Sequence, residues 1–151
     1  MSLLLTIGDK EVQGKPSFAF LKLADSKYGT FQEKTGEMTG GLMNILSGVI
    51  EGDVQAAAKY WDCATAHLKD KPSIEKIEEA LEARIEADED AEPLLKEIYH
   101  ELTNSGFFKK TVKEFWKNLE MMKDFGKTEE EKTKNKTAYD LMMAKKKEIE
   151  A

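Results

Sequence analysis

The side chains whose spacing could most readily support catalysis or metal binding are Asp62, Cys63 and His67, which lie within six residues of one another. Cys63 and His67 are four residues apart, so they share one face of a helix and could supply two metal ligands. Two ligands do not make a site, and the only other imidazole, His100, falls on a different predicted helix. We therefore predict no metal site and no cofactor.

Catalytic groups are equally scarce in the sequence. Neither a Ser-His-Asp set nor a Cys-His nucleophile stands out. Glu78 and Glu82 are spaced to lie on one helix face, but they continue a long acidic run. They lack the apolar pocket that would raise the pKa of a carboxyl group, so we predict that they lie on the solvated surface. Gly40-Gly41 lacks the glycine-lysine signature of a phosphate loop and indicates a helix start instead. We predict that the chain has no catalytic residues and is not an enzyme.

Charge is distributed unevenly along the 151 residues. The net charge of -6 would repel a phosphate backbone, so nucleic acid is not an expected partner. Before Phe107 there are 20 acidic and 11 basic residues, a balance of -9; from Phe107 onward 9 acidic and 12 basic residues give +3. This asymmetry permits head-to-tail self-association. Alternatively, both halves are solvated helix faces, since surface ion pairs usually contribute little.

Cysteine usage and hydropathy suggest a cytoplasmic protein. The single cysteine, Cys63, excludes an internal disulfide and fits a reducing compartment. The apolar run at the start stops at Ile7, and no segment approaches the roughly 18 uninterrupted apolar residues that a membrane span requires. We expect no membrane partner.

The first 29 residues predict a β-hairpin followed by a capped helix. Alternating apolar residues, a Gly8-Asp9 turn and a return strand place the hairpin at about residues 3–13. Ser17 can cap the next helix, whose predicted stripe ends at Gly29. Its members lie at helical spacing: Phe18, Leu21, Ala24, Asp25 and Tyr28.

The rest of the chain is predicted to be helical, apart from a loop at residues 30–40. Apolar stripes at helical spacing occupy residues 42–50, 54–68, 74–85, 94–102 and 108–122, with Asp53 and Ser73 as caps and Pro93 at a helix start. These patterns predict a mainly α fold with a short N-terminal β-hairpin, a compact multi-helix domain over residues 1–126. Residues 127–151 are predicted to be a polar extension, flexible or helical, that folding does not require.

The helix expected near residues 107–125 carries more large apolar side chains than one buried face can hold. Its predicted core stripe consists of Phe108, Val112, Phe115, Leu119 and Met122. Further large side chains do not all fit on that stripe, and aromatic residues and methionine dominate adaptable contact surfaces. The predicted partner-binding candidates are therefore Phe107, Trp116, Met121 and Phe125.

Three segments together resemble a known family. They are the Leu-Thr-Ile-Gly-Asp-Lys-Glu-Val hairpin, the helix from Phe18 through Leu21 to Lys27-Tyr28-Gly29, and Lys71-Pro72-Ser73-Ile74 leading into a helix with Ile77 and Leu81. Over about residues 3 to 125 the chain is similar to the tail assembly chaperones of long-tailed bacteriophages of the siphophage type and their prophages.

The resemblance implies a small, mostly helical, non-enzymatic protein of the host cytoplasm. Such a protein binds the tape measure protein, keeps it soluble, helps recruit tail tube subunits and is absent from the mature virion. A homo-oligomer that winds along its client is a compatible geometry, because a heterologous contact that does not close makes a helical array. The alternative is a helical structural or regulatory adaptor unrelated to phage, which self-associates through its hairpin.

Overall fold

The structure is a computed structural model that describes residues 3–151. Within this range the chain forms mainly helices, preceded by an antiparallel hairpin, as the sequence predicts. The elements are β1 (Leu4–Ile7), β2 (Lys10–Gln13), α1 (Phe18–Tyr28), β3 (Thr30–Gln32), β4 (Glu37–Thr39), α2 (Gly41–Glu51), α3 (Val54–Ala64), α4 (Ile74–Asp88), α5 (Glu92–Asn104), α6 (Lys109–Met122) and α7 (Glu129–Glu150).

The N-terminal hairpin is confirmed with its turn. β1 and β2 pair antiparallel with Leu5 opposite Val12, and Gly8 has a φ of 67°, the left-handed conformation that glycine adopts without strain. An isolated hairpin is marginal in water. This one lies against α4 and buries Leu5 in the hydrophobic core, so the helical body supplies its missing support.

Residues 30–40, predicted to be a loop, contain a second hairpin. β3 and β4 pair antiparallel with Phe31 opposite Met38. The amide of Gly36 donates to the carbonyl of Gln32 at 2.8 Å and closes the turn. The prediction was wrong because each strand is only three residues long and largely exposed, which leaves no buried alternation for a sequence pattern to reveal.

The core lies where α1, α2, α3 and α5 meet. Ser17, Asp53 and Ser73 cap α1, α3 and α4 with their side chains, as predicted. Helices α1 and α2 approach so closely that a Cβ on Gly41 would overlap the backbone of Ala24. Helix α3 ends at Ala64, earlier than the stripe to residue 68 suggested. The largest fully buried side chains of α2 and α3 are Ile45, Leu46, Val49, Tyr60 and Trp61.

The predicted core stripe of α6 is buried only at its start. Phe108 and Val112 are buried, Phe115 and Leu119 are half-buried, and Met122 is exposed. The assignment of Met122 to the core is therefore corrected. Burial along this stripe decreases from Phe108 to Met122, so the apolar spacing continues past the point where the neighbouring helices cover α6 fully.

The C-terminal segment forms one helix, α7. Thr128 accepts from the amide of Glu131 at 3.1 Å, and the Glu131 carboxylate accepts from the amide of Lys127 at 2.7 Å. This reciprocal arrangement is close to a capping box, a signal readable in the sequence as Thr-Glu-Glu-Glu. Near the other end, Ile149 is buried in the core. The division of the chain at residue 126 stays a prediction.

Candidate partner-binding surface

Asp62, on α3, is a buried carboxylate held by three side chains from other segments. Lys27 donates to Oδ2 at 2.7 Å, the Tyr28 hydroxyl donates to the same oxygen at 2.6 Å, and Lys71 donates to Oδ1. Burial alone would raise the pKa of Asp62, but these hydrogen bonds outweigh it and hold that pKa below its usual range. Both oxygens are thus engaged, and the cluster ties α1 and the segment before α4 to α3.

The Cys63 and His67 pair does not assemble a metal centre. Cys63 is fully buried, and burial together with the neighbouring Asp62 raises the pKa of its thiol to about 12. A thiol that stays protonated at neutral pH is a poor nucleophile and metal ligand. Among residues 3–151, His, Cys, Asp and Glu form no group of three or more that could hold a metal ion. His100 lies exposed on α5.

One exposed apolar surface, here called the aromatic patch, consists of Phe18 and Phe107. Phe18 is 70% exposed and Phe107 43% exposed, and their rings make an edge contact with centroids 5.3 Å apart. Beneath them, Phe108 and Phe20 are fully buried with ring centroids 4.7 Å apart. Because the exposed pair packs on these buried rings, Phe18 and Phe107 lose less conformational entropy when a partner binds.

Phe18 was not among the predicted binding candidates, because its spacing placed it on the predicted stripe of α1. The structure buries Phe20 in place of Phe18, together with Ala24, which the predicted stripe did contain. Phe20 and Ala24 are four residues apart, so helical spacing alone did not distinguish Phe20 from Phe18 as the core residue. Asp25, predicted on the same stripe, accepts a hydrogen bond of 3.0 Å from the amide of Gly41.

A second exposed surface, here called the methionine patch, lies where α6 ends. Met121, Met122 and Phe125 are each more than half exposed. Two of them, Met121 and Phe125, are predicted candidates. The first twelve residues of α6 lie between Phe107 and this patch, a helix length of about 18 Å at roughly 1.5 Å per residue. The predicted candidates therefore do not form one continuous surface.

The fourth candidate, Trp116, lies between the two patches and is half-buried. Its indole Nε1 donates to the Tyr99 hydroxyl at 3.1 Å, which joins α6 to α5. Lys146 of α7 stands over its ring, 5.1 Å from a ring centroid. Trp116 thus packs between helices, and its role in partner binding stays a prediction.

Exposed aromatic and methionine side chains on a folded helical body are typical of a protein that binds other proteins. A family model described as phage tail assembly chaperone protein, TAC, matches residues 4–117. The match covers well over half of the chain, which belongs to the phage tail assembly chaperone family. No curated protein and no solved structure matches.

The matched region includes the aromatic patch and ends within α6, before Met121. The aromatic patch is therefore part of the family domain, whereas the methionine patch and α7 lie beyond it. Within residues 3–151, none of the helices combines the length and apolar character needed to cross a bilayer.

Proposed function

We propose that this chain binds the tape measure protein of its own phage, keeps that protein soluble and helps recruit tail tube subunits during tail morphogenesis. The observation that carries the proposal is the aromatic patch, an exposed apolar surface inside the region that matches the chaperone family. The protein acts by binding, without catalysis. It works in the host cytoplasm and leaves before the virion is mature.

The client's chemistry explains why such a patch would be useful. A tape measure protein is long and helical, with apolar stripes that aggregate when exposed. Phe18 and Phe107 present two adjacent ring surfaces that suit the apolar ridge of an amphipathic helix. The surrounding surface is charged, which keeps the complex soluble. Each contact can be weak, because many copies on one rod act together.

The candidates divide between the proposed partners. We assign Phe107, with Phe18, to the client. Met121 and Phe125 are then available for another partner, and self-association into a homo-oligomer would bring many chaperones to one client. The position of Trp116 favours this assignment of Phe107 and Met121 to different partners, because its contacts with α5 and α7 hold the middle of α6 in place.

Co-expression with the tape measure protein tests the proposal. The soluble fraction of the tape measure protein should rise severalfold when this chain is present, and the two should purify together. A variant with Phe18→Ala and Phe107→Ala should lose most of this effect while it keeps a cooperative thermal transition. Phe31→Ala is the matched control, since it removes from the second hairpin a ring whose exposure lies between those of Phe18 and Phe107.

Two outcomes would contradict the proposal at different levels. Failure of the unmutated chain to bind or solubilise the tape measure protein would reject the client. Loss of binding in Phe31→Ala, with binding intact in the Phe18 and Phe107 variant, would move the client site to the second hairpin. Co-purification of the tail tube protein, with and without the tape measure protein, tests the recruitment step separately.

A further inference from the structure

Strand β1 has hydrogen-bonding groups on both of its edges but a partner strand on only one. The first hairpin is a two-stranded sheet, in which β1 pairs with β2 alone. The amide of Gly14 donates to the carbonyl of Leu3 at 2.8 Å, which makes this the first hydrogen-bonded pair of the hairpin. Leu5 and Ile7 lie two and four residues further along, so their N–H and C=O groups also point toward β2.

The intervening residues, Leu4 and Thr6, point their backbone groups away from β2. Successive pairs in an antiparallel ladder alternate between hydrogen-bonded and non-hydrogen-bonded. Leu4 opposite Gln13 and Thr6 opposite Glu11 are therefore the non-hydrogen-bonded pairs. Their N–H and C=O groups lie along the outer edge of β1, where no strand among residues 3–151 pairs with them.

The outer edge of β1 lacks the features that usually prevent strand addition. Folded proteins protect an exposed edge with charged side chains, proline or a bulge. The sequence of β1, Leu-Leu-Thr-Ile, contains neither charge nor proline, and its register with β2 is continuous. Strand β2, in contrast, carries Lys10 and Glu11. The edge of β1 is thus suited to accept a further strand, whereas the edge of β2 is protected.

A cleft of about 560 Å³ lies beside this edge, with α4 as its opposite wall. Within the described chain, its lining from the hairpin comes from β1 and the turn, and β2 contributes no residue to it. Along α4 the lining extends from Lys76 to Arg84, a length of about 12 Å at 1.5 Å per residue. About four residues of extended chain span that distance. The cleft therefore has room for one short strand beside the four residues of β1.

The charged side chains of the cleft already have partners of opposite sign. Lys76 lies 4.0 Å from Glu79, and Arg84 pairs with Asp88 and Glu97. A charged residue entering the cleft would find no unpaired countercharge, so an uncharged segment is the complementary occupant.

We propose that β1 binds an extended, uncharged segment of a partner protein as a third strand, in the cleft between β1 and α4. The backbone of Leu4 and Thr6 exchanges hydrogen bonds with the segment. Every second side chain of the segment faces Ala80 and Ala83, whose small side chains leave room for branched apolar residues such as valine. This site takes a non-helical segment and is separate from the aromatic patch.

Strand β1 of a second copy is not the occupant. In each copy β1 packs against its own α4, so it cannot enter the space between β1 and α4 of another copy. The occupant is therefore a segment that is extended and free of such packing before it binds.

A synthetic peptide of sequence Gly-Val-Thr-Val-Thr-Val-Gly, labelled with fluorescein, tests the site. Fluorescence anisotropy with the full chain should show saturable binding. Replacing the central valine of the peptide with proline removes a backbone donor and should weaken binding at least about tenfold. In the unmutated protein, the peptide should slow amide hydrogen exchange of Leu4 and Thr6 at least about tenfold, and that of Leu5 and Ile7 much less.

Two pairs of variants locate the contact. Thr6→Pro removes an outward N–H that has no bond to β2, and should weaken binding at least about tenfold. Glu11→Pro is the matched control, since Glu11 lies directly opposite Thr6 and loses an outward N–H on the other edge of the hairpin. Ala83→Phe should block the cleft, whereas Ala87→Phe, an exposed position of α4 outside the lining, should not.

Absence of saturable binding would overturn the proposal, as would equal losses in the two proline variants or in the two phenylalanine variants. Protection of Leu4 and Thr6 that rises with protein concentration in the absence of peptide would assign the edge to a second copy instead. If circular dichroism shows that Thr6→Pro unfolds, the exchange pattern of the unmutated protein and the Ala83→Phe comparison decide. The tape measure protein is absent from these experiments, so their failure is distinct from failure of the client proposal.

Discussion

The indole nitrogen of Trp116 donates a 3.1 Å hydrogen bond to the hydroxyl of Tyr99, and that hydroxyl donates to Glu150 at 2.8 Å. One polar chain thus links α6, α5 and the end of α7. Tyr99 is buried, and burial is the main cause that raises the pKa of its hydroxyl. The hydrogen bond to Glu150 raises that pKa further. The hydroxyl stays protonated and can donate throughout the neutral range.

We expect Tyr99→Phe to lower the free energy of unfolding by about 1 kcal/mol, because it leaves the Trp116 N–H and the Glu150 carboxylate without this partner. Tyr139→Phe is the control, since the Tyr139 ring contacts Lys123 through its face and keeps that contact without the hydroxyl. Denaturant unfolding of both variants measures the difference. Equal stability of Tyr99→Phe and the unmutated protein would show that these hydrogen bonds contribute nothing to the free energy of unfolding.

The Asp62 cluster predicts a sensitivity to acid. The pKa of Asp62 in the folded protein lies below the value of about 3.9 expected in the unfolded chain. The stability that the cluster contributes is therefore fully present above about pH 5 and is lost as pH falls through the folded-state pKa. Asp62→Asn should cost roughly 2 kcal/mol at pH 7, less than the 3–5 typical of fully buried pairs, because solvent screens the 46% exposed Lys27.

Thermal melts between pH 3 and pH 7 check this prediction. Asp62→Asn should show a smaller loss of stability below pH 4 than the unmutated protein, since the titrating group is gone. Asp70→Asn, at an exposed position in the segment between α3 and α4, should leave the pH profile unchanged. A parallel pH profile in the Asp62 and Asp70 variants would contradict the assignment.

The position of Ile149 bears on whether α7 is needed for folding. The sequence alone predicts that a chain ending at Gly126 keeps its thermal midpoint. Ile149 is only 7% exposed and packs in the core, so the structure leads us to expect a lower midpoint on truncation. Ile149→Ala should itself cost about 2 kcal/mol. Leu141→Ala, at a largely exposed position of the same helix, is the control and should cost little.

Two phenylalanines on the predicted stripe of α6 should differ in their contribution to stability. Phe108 is fully buried against Phe20, so Phe108→Ala should cost about 3 to 5 kcal/mol. Phe115 is only half-buried, and Phe115→Ala should cost about half as much. Chemical denaturation of both variants gives the comparison. A larger loss at Phe115 than at Phe108 would mean that the middle of α6 is more deeply packed than the structure shows.

Elements whose signals are local could be placed from residue types and their spacing. The turn at Gly8-Asp9 and the caps at Ser17, Asp53 and Ser73 depend on hydrogen bonds and dihedral angles within a few residues, so type and spacing were enough to place them. The resemblance to the family also rested on short segments, which include the hairpin and the start of α4 at Ser73.

Which apolar side chains remain exposed depends on how the helices pack together, and no local pattern predicts that. The same helical spacing in α1 suited either Phe18 or Phe20 as a core residue, and the packing of Phe20 against Phe108 selected the second. Along α6 the apolar repeat continues to Met122, but the neighbouring helices bury it fully only at its beginning. Periodicity specifies a face, whereas burial depends on what packs against that face, and residues distant in the sequence provide the partner.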